Sequence, residues 1–104
     1  MKLLTQAIRK KLPKIYDTES IPLEEKPIIC KFFNPIGSGN WYVIEGEQKE
    51  DDFIFFGLVD LQEQEFGYFS LKELESIRLP LGMKIERDIH FEDYKIKDIY
   101  LKGA

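Results

Sequence analysis

The sequence predicts an α+β domain with a mainly antiparallel sheet of four or five strands, an N-terminal helix and one helix packed on the sheet. Two observations predict this class. Short apolar runs follow one another with only brief polar turns between them, which is typical of antiparallel strands. One strong helix start follows the last of these runs, and an alternating segment comes after that helix. The length of 104 residues indicates a single domain over residues 1–104.

The first element is a short N-terminal helix. Thr5 can cap it, and the apolar residues Ala7, Ile8 and Leu12 are spaced roughly as on one helix face. Pro13 disfavours helical geometry at Leu12 and therefore ends or bends the helix. A polar loop then leads to the sheet.

Four strands follow the loop. Their predicted ranges are 28–34, 41–45, 53–61 and 66–69. Polar segments that contain Gly, Asn, Asp, Glu or Gln separate them, and such residues favour turns and solvated connections. The third strand is apolar on both faces, which predicts a central strand with a helix covering one side.

The second helix begins at Ser70, because Ser70 and Glu73 have the spacing of a capping box. Pro80 and Gly82 end this helix. Residues 83–91 then alternate between apolar and polar side chains, which predicts a closing strand. The polar face of that strand carries Lys84, Glu86, Asp88 and His90.

The end of the chain, residues 92–104, is a charged tail that we expect to be flexible. Its apolar residues Ile96, Ile99 and Leu101 support the alternative of a short closing element. The chain contains no internal repeat, no low-complexity tract and no second domain.

The single cysteine and the absence of long apolar segments limit the function classes. Cys30 alone forms neither an intramolecular disulfide nor a multi-cysteine zinc site, and its strand-like surroundings indicate a small buried side chain. A nucleophilic arrangement of Cys30 or Ser38 with His90 lacks a nucleophile-elbow sequence. No segment approaches the ~20 apolar residues that span a bilayer, and no signal peptide is visible. We therefore expect a cytoplasmic protein with no cofactor and no membrane contact.

The charge is distributed unevenly along the chain. Residues 1–16 carry five basic residues and no acidic residue, whereas the remaining chain carries ten basic and nineteen acidic residues. The basic residues of this N-terminal segment are Lys2, Arg9, Lys10, Lys11 and Lys14. They are candidates for nucleic-acid binding through phosphate contacts, which would make binding steeply dependent on salt. The alternative is an ordinary solvated helix face, and the acidic body would repel a long polyanion.

Four residues are candidates for a divalent metal site. Glu86, Asp88 and His90 share the polar face of the predicted closing strand, and Asp60 ends the third predicted strand. Carboxylates and imidazole are suitable metal ligands, and a metal held by them could support hydrolysis of a phosphodiester. The alternative is the solvent face of an amphipathic strand.

The segment between the first two strands is a candidate ligand-binding loop. It carries Asn34, Ser38, Asn40 and Trp41 around two glycines, whose backbone amides could bind an anion. The alternative is ordinary turn chemistry, with Trp41 in the core.

Arg87 is a further candidate for ligand binding, because it falls on the apolar face of its predicted strand. A buried arginine needs an anionic or hydrogen-bonding partner, because an unpaired buried charge is costly. Asp60, Glu45 and Glu73 are candidates for a structural ion pair, and the alternative is an arginine that lines a cleft for a carboxylate or phosphate.

Several of these segments, taken together, resemble a known family. They are Phe32-Phe33-Asn34-Pro35 with Gly37 and Trp41-Tyr42, Phe56-Gly57-Leu58-Val59-Asp60-Leu61, Gly67-Tyr68, Ser70-Leu71-Lys72-Glu73-Leu74 and Ile85-Glu86-Arg87-Asp88. The combination over residues 3–91 is similar to a small bacterial family known as domain of unknown function family 2958. Its members are typically small proteins of plasmids and conjugative elements, some of them fused to or encoded near DNA-processing proteins. The resemblance implies a role in mobile-element biology and supplies no catalytic residues.

These observations favour a non-enzymatic accessory or regulatory protein of a mobile genetic element that acts by contact with a partner protein. One alternative is a nucleic-acid-binding module that uses the basic N-terminal helix. Another is a metal-dependent nuclease or phosphoesterase that uses Asp60, Glu86, Asp88 and His90. The oligomeric state stays open, because exposed sheet edges permit a dimer without specifying one.

Overall fold

A five-stranded antiparallel sheet forms the body of the protein, in the order β4-β3-β2-β1-β5. The computed structural model describes residues 1–100. The strands are β1 (Cys30–Phe33), β2 (Asn40–Lys49), β3 (Asp52–Asp60), β4 (Gln64–Ser70) and β5 (Glu86–Arg87). Three short α-helices accompany them: α1 (Gln6–Lys11), α2 (Leu71–Ser76) and α3 (Ile96–Ile99). The predicted α+β class with a mainly antiparallel sheet is confirmed.

The helix starts follow the predicted capping chemistry. The Ile8 N–H donates to Thr5 Oγ1 over 3.2 Å, and α1 ends immediately before Leu12 and Pro13. The Ser70 side chain and the Glu73 side chain each accept from the other residue's backbone N–H, so the capping box of α2 forms as predicted. Among residues 1–100, no helix is both long and apolar enough to cross a membrane.

The long β2–β3 pair is the centre of the sheet. A β-bulge between Val43 and Glu45 interrupts its register. Gly57 of β3 lies so close to β2 that a Cβ atom there would meet the Tyr42 carbonyl carbon at 2.9 Å. Only glycine permits this approach, because any side chain would push the two strands apart.

Each face of the sheet carries its own apolar cluster. On the first face, Phe32 and Phe55 meet edge to face at 5.5 Å, and the N-terminal segment and α2 cover them. On the second face, the cluster contains Tyr42, Ile44, Leu58 and Ile96, and α3 covers part of it. Alternation along the strands separates these two sets of side chains.

The predicted closing strand 83–91 is much shorter in the structure, because only Glu86–Arg87 pair with β1. The Asp88 N–H still donates to the Lys31 carbonyl, but the Asp88 carboxylate then accepts from the His90 N–H over 3.0 Å. Such an aspartate turn redirects the backbone. The Phe91 N–H bonds back to the Asp88 carbonyl, so the chain leaves the sheet at this point.

The end of the described chain packs against the loop before β1. Pro27 and Lys95 form an antiparallel bridge, and the Ile96 N–H donates to the Lys26 carbonyl. Ile96 is fully buried, so a short closing element forms around it and Ile99. Leu101, the third residue of that predicted element, lies outside the described residues.

A buried carboxylate fixes the loop that connects α1 to the sheet. Glu45 is 4% exposed, and its carboxylate accepts from the N–H groups of Tyr16 and Thr18 and from the Thr18 hydroxyl. The Lys26 ammonium donates to both the carbonyl and the hydroxyl of Thr18. Tyr16 has a left-handed backbone with φ of 75°, which these contacts hold in place.

Candidate functional site

Four polar residues lie around Tyr42 on the second face of the sheet, and we call them the acidic-face site: Lys31, Tyr42, Asp60 and Asp88. Lys31 lies directly opposite Tyr42 across the β1–β2 pair, and Tyr42 lies opposite Leu58 across the β2–β3 pair. Asp60 follows Leu58 by two residues and therefore shares its face. Asp88 enters from the end of β5, where its N–H donates to the Lys31 carbonyl.

The lysine of this site lies between a carboxylate and two aromatic rings. Lys31 Nζ is 3.9 Å from Asp88 Oδ2, and the two side chains are only 23% and 28% exposed. The same ammonium is 5.8 Å from the Phe33 ring centroid and 5.7 Å from that of Tyr42. The site therefore already holds one cation of the chain by charge and by cation–π contact.

The tyrosine is the buried floor of the site. Burial raises the pKa of the Tyr42 phenol, and the negative charges of Asp60 and Asp88 raise it further. A phenol with a raised pKa stays protonated at neutral pH and can donate a hydrogen bond. The Phe91 ring lies 6.0 Å from the Tyr42 ring and extends the aromatic floor.

A glutamine side chain orients the second carboxylate. Gln64 Nε2 donates to Asp60 Oδ2 over 3.2 Å and to the Ile99 carbonyl over 3.2 Å. Asp60 is half-buried at the end of β3. Its charge is thus held in a fixed position beside the phenol, where water screens it less than at an open surface.

This arrangement suits the binding of a cation. Within residues 1–100, Asp60 and Asp88 bring two negative charges to the site, Lys31 brings one positive charge, and the Tyr42 phenol is neutral. The remaining negative charge and the aromatic floor favour an arginine or lysine side chain of another molecule.

The structure does not bring the four predicted metal ligands together. Glu86 pairs with Phe33 on β5, and two strands, β1 and β2, separate β5 from Asp60 on β3. Three strand spacings correspond to about 14 Å. His90 is exposed in the turn after Asp88. Within residues 1–100, no three His, Cys, Asp or Glu side chains are grouped so that they could hold a metal ion.

The predicted ligand-binding loop is a compact turn whose polar groups bond internally. Asn34 Oδ1 accepts from the Ile36 N–H over 3.0 Å, and Asn34 Nδ2 donates to the Ser38 carbonyl over 3.4 Å. Asn40 belongs to β2, and Trp41 is buried in the first-face cluster. These contacts favour the structural interpretation of the segment, and ligand binding there stays a prediction.

Arg87 lies on the first face, as predicted, but its partners are backbone carbonyls. Its guanidinium donates to the carbonyls of Lys2 and Leu3, the latter over 3.1 Å. It thereby fixes the buried N-terminal residues Leu3 and Leu4 against the sheet. The expected partners Asp60, Glu45 and Glu73 have other contacts: with Gln64, with the loop of Tyr16 and Thr18, and with Ser70.

The basic N-terminal residues divide into two groups. Arg9 donates to Gln48 Oε1 over 2.8 Å and lies 4.9 Å from the Phe53 ring centroid, so it contributes to packing. Lys2, Lys10, Lys11 and Lys14 are exposed and have no side-chain contact of this kind with the rest of residues 1–100. Nucleic-acid binding by this segment therefore rests on the lysines more than on Arg9.

Cys30 is buried in β1, and burial raises the pKa of its thiol to about 12. The thiol is therefore protonated at neutral pH and a poor nucleophile. Ser38 is exposed in the turn between β1 and β2, and His90 is exposed in the turn after Asp88.

Sequence reasoning missed Lys31 and Tyr42, and it named Glu45 only as a candidate partner of Arg87. Lys31 and Tyr42 alternate with the buried residues Phe32 and Trp41, which indicates that they share the opposite face. Their pairing needs the strand register, which depends on turn geometry and on the bulge near Glu45. No local signal indicates that Glu45 binds Tyr16 and Thr18, because these partners are distant from it in sequence.

Comparisons with known proteins identify a family and no relative of known activity. A family model described as "Protein of unknown function (DUF2958)" matches residues 3–104. The match includes the tail after Phe91, which the resemblance of sequence motifs does not cover. No curated protein and no solved structure matches the chain.

Proposed function

The chain belongs to the DUF2958 family, and we propose that it is a non-enzymatic accessory protein that binds a basic segment of a partner protein. The acidic-face site is the proposed contact. Its occupants are arginine or lysine side chains that bind the carboxylates of Asp60 and Asp88, which lie on opposite sides of Tyr42.

One observation carries this proposal: two half-buried carboxylates lie on opposite sides of the buried Tyr42 phenol, and among residues 1–100 the ammonium of Lys31 alone forms an ion pair with them. Charge-assisted hydrogen bonds from a guanidinium to such carboxylates are stronger than neutral ones. The acidic remainder of the chain would also attract a basic partner from a distance.

The wider role that we propose is accessory or regulatory function in a mobile genetic element, in the cytoplasm. The family resemblance supports this role. The chemistry of the proposed partner also supports it, because proteins that bind nucleic acids carry basic segments of the kind that the acidic-face site would bind. Pull-down with the DNA-processing proteins of the same element tests this role. Capture that is lost on Asp60→Asn supports the role, and failure of every such protein to bind contradicts it.

Calorimetric titration with a synthetic arginine-rich peptide tests the site itself. We expect Asp60→Asn and Asp88→Asn each to weaken binding about tenfold or more, because each removes a carboxylate that accepts a charge-assisted hydrogen bond from one of the arginines of the peptide. Asp51→Asn is the matched control, since it removes the same charge at the exposed Asp51–Lys72 ion pair of the β2–β3 turn. Equal weakening by all three substitutions would indicate general attraction to an acidic surface and contradict a specific site.

Nucleic-acid binding is a second candidate, and the exposure of Lys10, Lys11 and Lys14 is the observation that favours it. Three phosphate contacts predict a salt slope of about −3 for duplex DNA. A slope near zero, or binding unaffected by charge reversal of these lysines, would exclude this candidate.

The metal-dependent nuclease stays a prediction with no support from side-chain placement. Hydrolysis that requires Mg²⁺ or Mn²⁺ and disappears in Asp88→Ala would establish it. The same assay on Glu86→Ala would show whether the distant carboxylate takes part.

A further inference from the structure

A strained turn presents one leucine to solvent between α2 and β5. Leu81 has φ of 62° and ψ of 24°, and the next residue, Gly82, has φ of 72°. The Met83 N–H donates to the Pro80 carbonyl over 3.2 Å, and the Leu79 N–H donates to the Met83 carbonyl over 3.1 Å. Two successive left-handed residues closed by such a bond form a type I′ turn.

Leucine is a poor residue for this position. The first central residue of a type I′ turn is usually Asn, Asp or Gly, since a larger side chain strains a left-handed backbone. Leu81 is 94% exposed, so packing within the chain does not compensate the strain. A strained residue whose side chain also carries an exposed apolar surface indicates a contact outside the chain.

A groove of about 300 Å³ adjoins this turn. Gly82 and Met83 belong both to the turn and to the wall of the groove, and the buried residues Leu3, Leu74 and Ile85 also line it. Met1 also lines it, and methionine side chains adapt readily to an inserted aliphatic group. The protein thus carries a protruding aliphatic side chain next to a groove of mixed polarity that two methionines, Met1 and Met83, line.

The charges at the groove are mixed in sign. Lys84 lines it together with the carboxylates of Glu75 and Glu86. The ion pairs found within residues 1–100 are Lys31–Asp88, Lys72–Asp51, Lys95–Glu25 and Lys97–Glu25, so these three charges lack an ionic partner there. A surface of this kind complements a second copy of itself when a two-fold axis brings Lys84 to Glu75.

We propose that the turn and groove form a self-association surface whose occupant is a second copy of this chain. Leu81 of each copy enters the groove of the other, and Lys84 of each copy faces Glu75 of the other. Such an isologous contact closes into a dimer. This surface lies apart from the acidic-face site, and the inference does not depend on the proposed function.

The experiment is sedimentation equilibrium of the full chain at increasing concentration, up to about 1 mM because small interfaces are weak. We expect the wild-type protein to form a dimer and Leu81→Asn to remain monomeric. We also expect Leu81→Asn to raise Tm by about 4 °C, since asparagine tolerates the left-handed backbone. Leu61→Asn is the matched control, because Leu61 is a half-exposed leucine in the β3–β4 turn and should not affect association.

Charge reversal tests the pairing directly. We expect Lys84→Glu and Glu75→Lys each to weaken the dimer, and an equimolar mixture of the two variants to restore association as a heterodimer. A wild-type protein that is monomeric throughout, or a Leu81→Asn variant that associates normally, would overturn the proposal. A lower Tm for Leu81→Asn would show that leucine stabilises the turn. It would then contradict the inference that Leu81 is a strained residue kept for a contact outside the chain.

Discussion

Replacement of Glu45 by glutamine should release the loop between α1 and the sheet. The carboxylate accepts from the Tyr16 N–H over 3.0 Å, from the Thr18 N–H over 3.1 Å and from the Thr18 hydroxyl. Glutamine has nearly the same shape but only one acceptor oxygen. Its NH₂ group would face donors, so at least one backbone N–H would lose its partner.

The expected cost follows from these contacts. A hydrogen bond to a charged acceptor contributes about 1.5–3 kcal/mol, and a buried donor left without a partner costs about 1–3 kcal/mol. Part of this lost free energy is recovered, because Glu45 is only 4% exposed and a neutral glutamine avoids the cost of burying a charge. We therefore expect Glu45→Gln to lower the free energy of unfolding by about 2–4 kcal/mol.

Urea denaturation and amide hydrogen exchange together measure this effect. The amides of Tyr16 and Thr18 should exchange much faster in Glu45→Gln, whereas those of β3 should change only with global stability. Glu47→Gln is the matched control, because Glu47 accepts from a single backbone N–H, that of Ile15, over 3.0 Å. Equal effects of the two substitutions, or unchanged exchange at Tyr16 and Thr18, would refute the argument.

The remaining predictions concern the sheet, the N-terminal segment and the thiol. Gly57→Ala should prevent folding, as judged by circular dichroism, because the added Cβ would lie 2.9 Å from the Tyr42 carbonyl carbon. Gly67→Ala should be tolerated, because no atom of the surrounding structure lies within 4 Å of the Cβ position there. Arg87→Lys should lower stability by about 1–2 kcal/mol and deprotect the Leu3 and Leu4 amides, because lysine lacks the guanidinium fork; unchanged exchange there would contradict this. The folded pKa of Cys30 is raised from 9.0 to about 12. The unfolded thiol therefore ionises first, and stability should fall by about 1.4 kcal/mol per unit as pH rises from 9 toward 12. Cys30→Ala should abolish this component of the pH dependence, and an identical dependence in that variant would contradict the assignment.

Local patterns in the sequence predicted most of the elements. The cap at Thr5, the capping box at Ser70 and the apolar strand 53–61 all depend on short-range chemistry. The alternation of 83–91 predicted a longer strand than the two residues found, because the Asp88 carboxylate competes for the backbone N–H of His90. Alternation alone does not reveal such a local competitor.

The candidate site was only partly predictable. Asp60 and Asp88 were named as metal ligands, and Glu86, Asp88 and His90 were grouped on the assumption of one long strand. Lys31, Tyr42 and Glu45 depend on cross-strand register and on loop contacts between residues far apart in sequence. Long-range pairing of this kind has no local signal.

The acidic-face site is tested most directly by amide-resolved NMR titration of the full chain with the arginine-rich peptide at low and moderate salt. We predict shifts at Lys31, Tyr42, Asp60 and Asp88 that persist at moderate salt, because the half-buried carboxylates are only weakly screened. Shifts scattered over the acidic surface that vanish with salt, or no shifts at all, would contradict a specific cation-binding site on the second face.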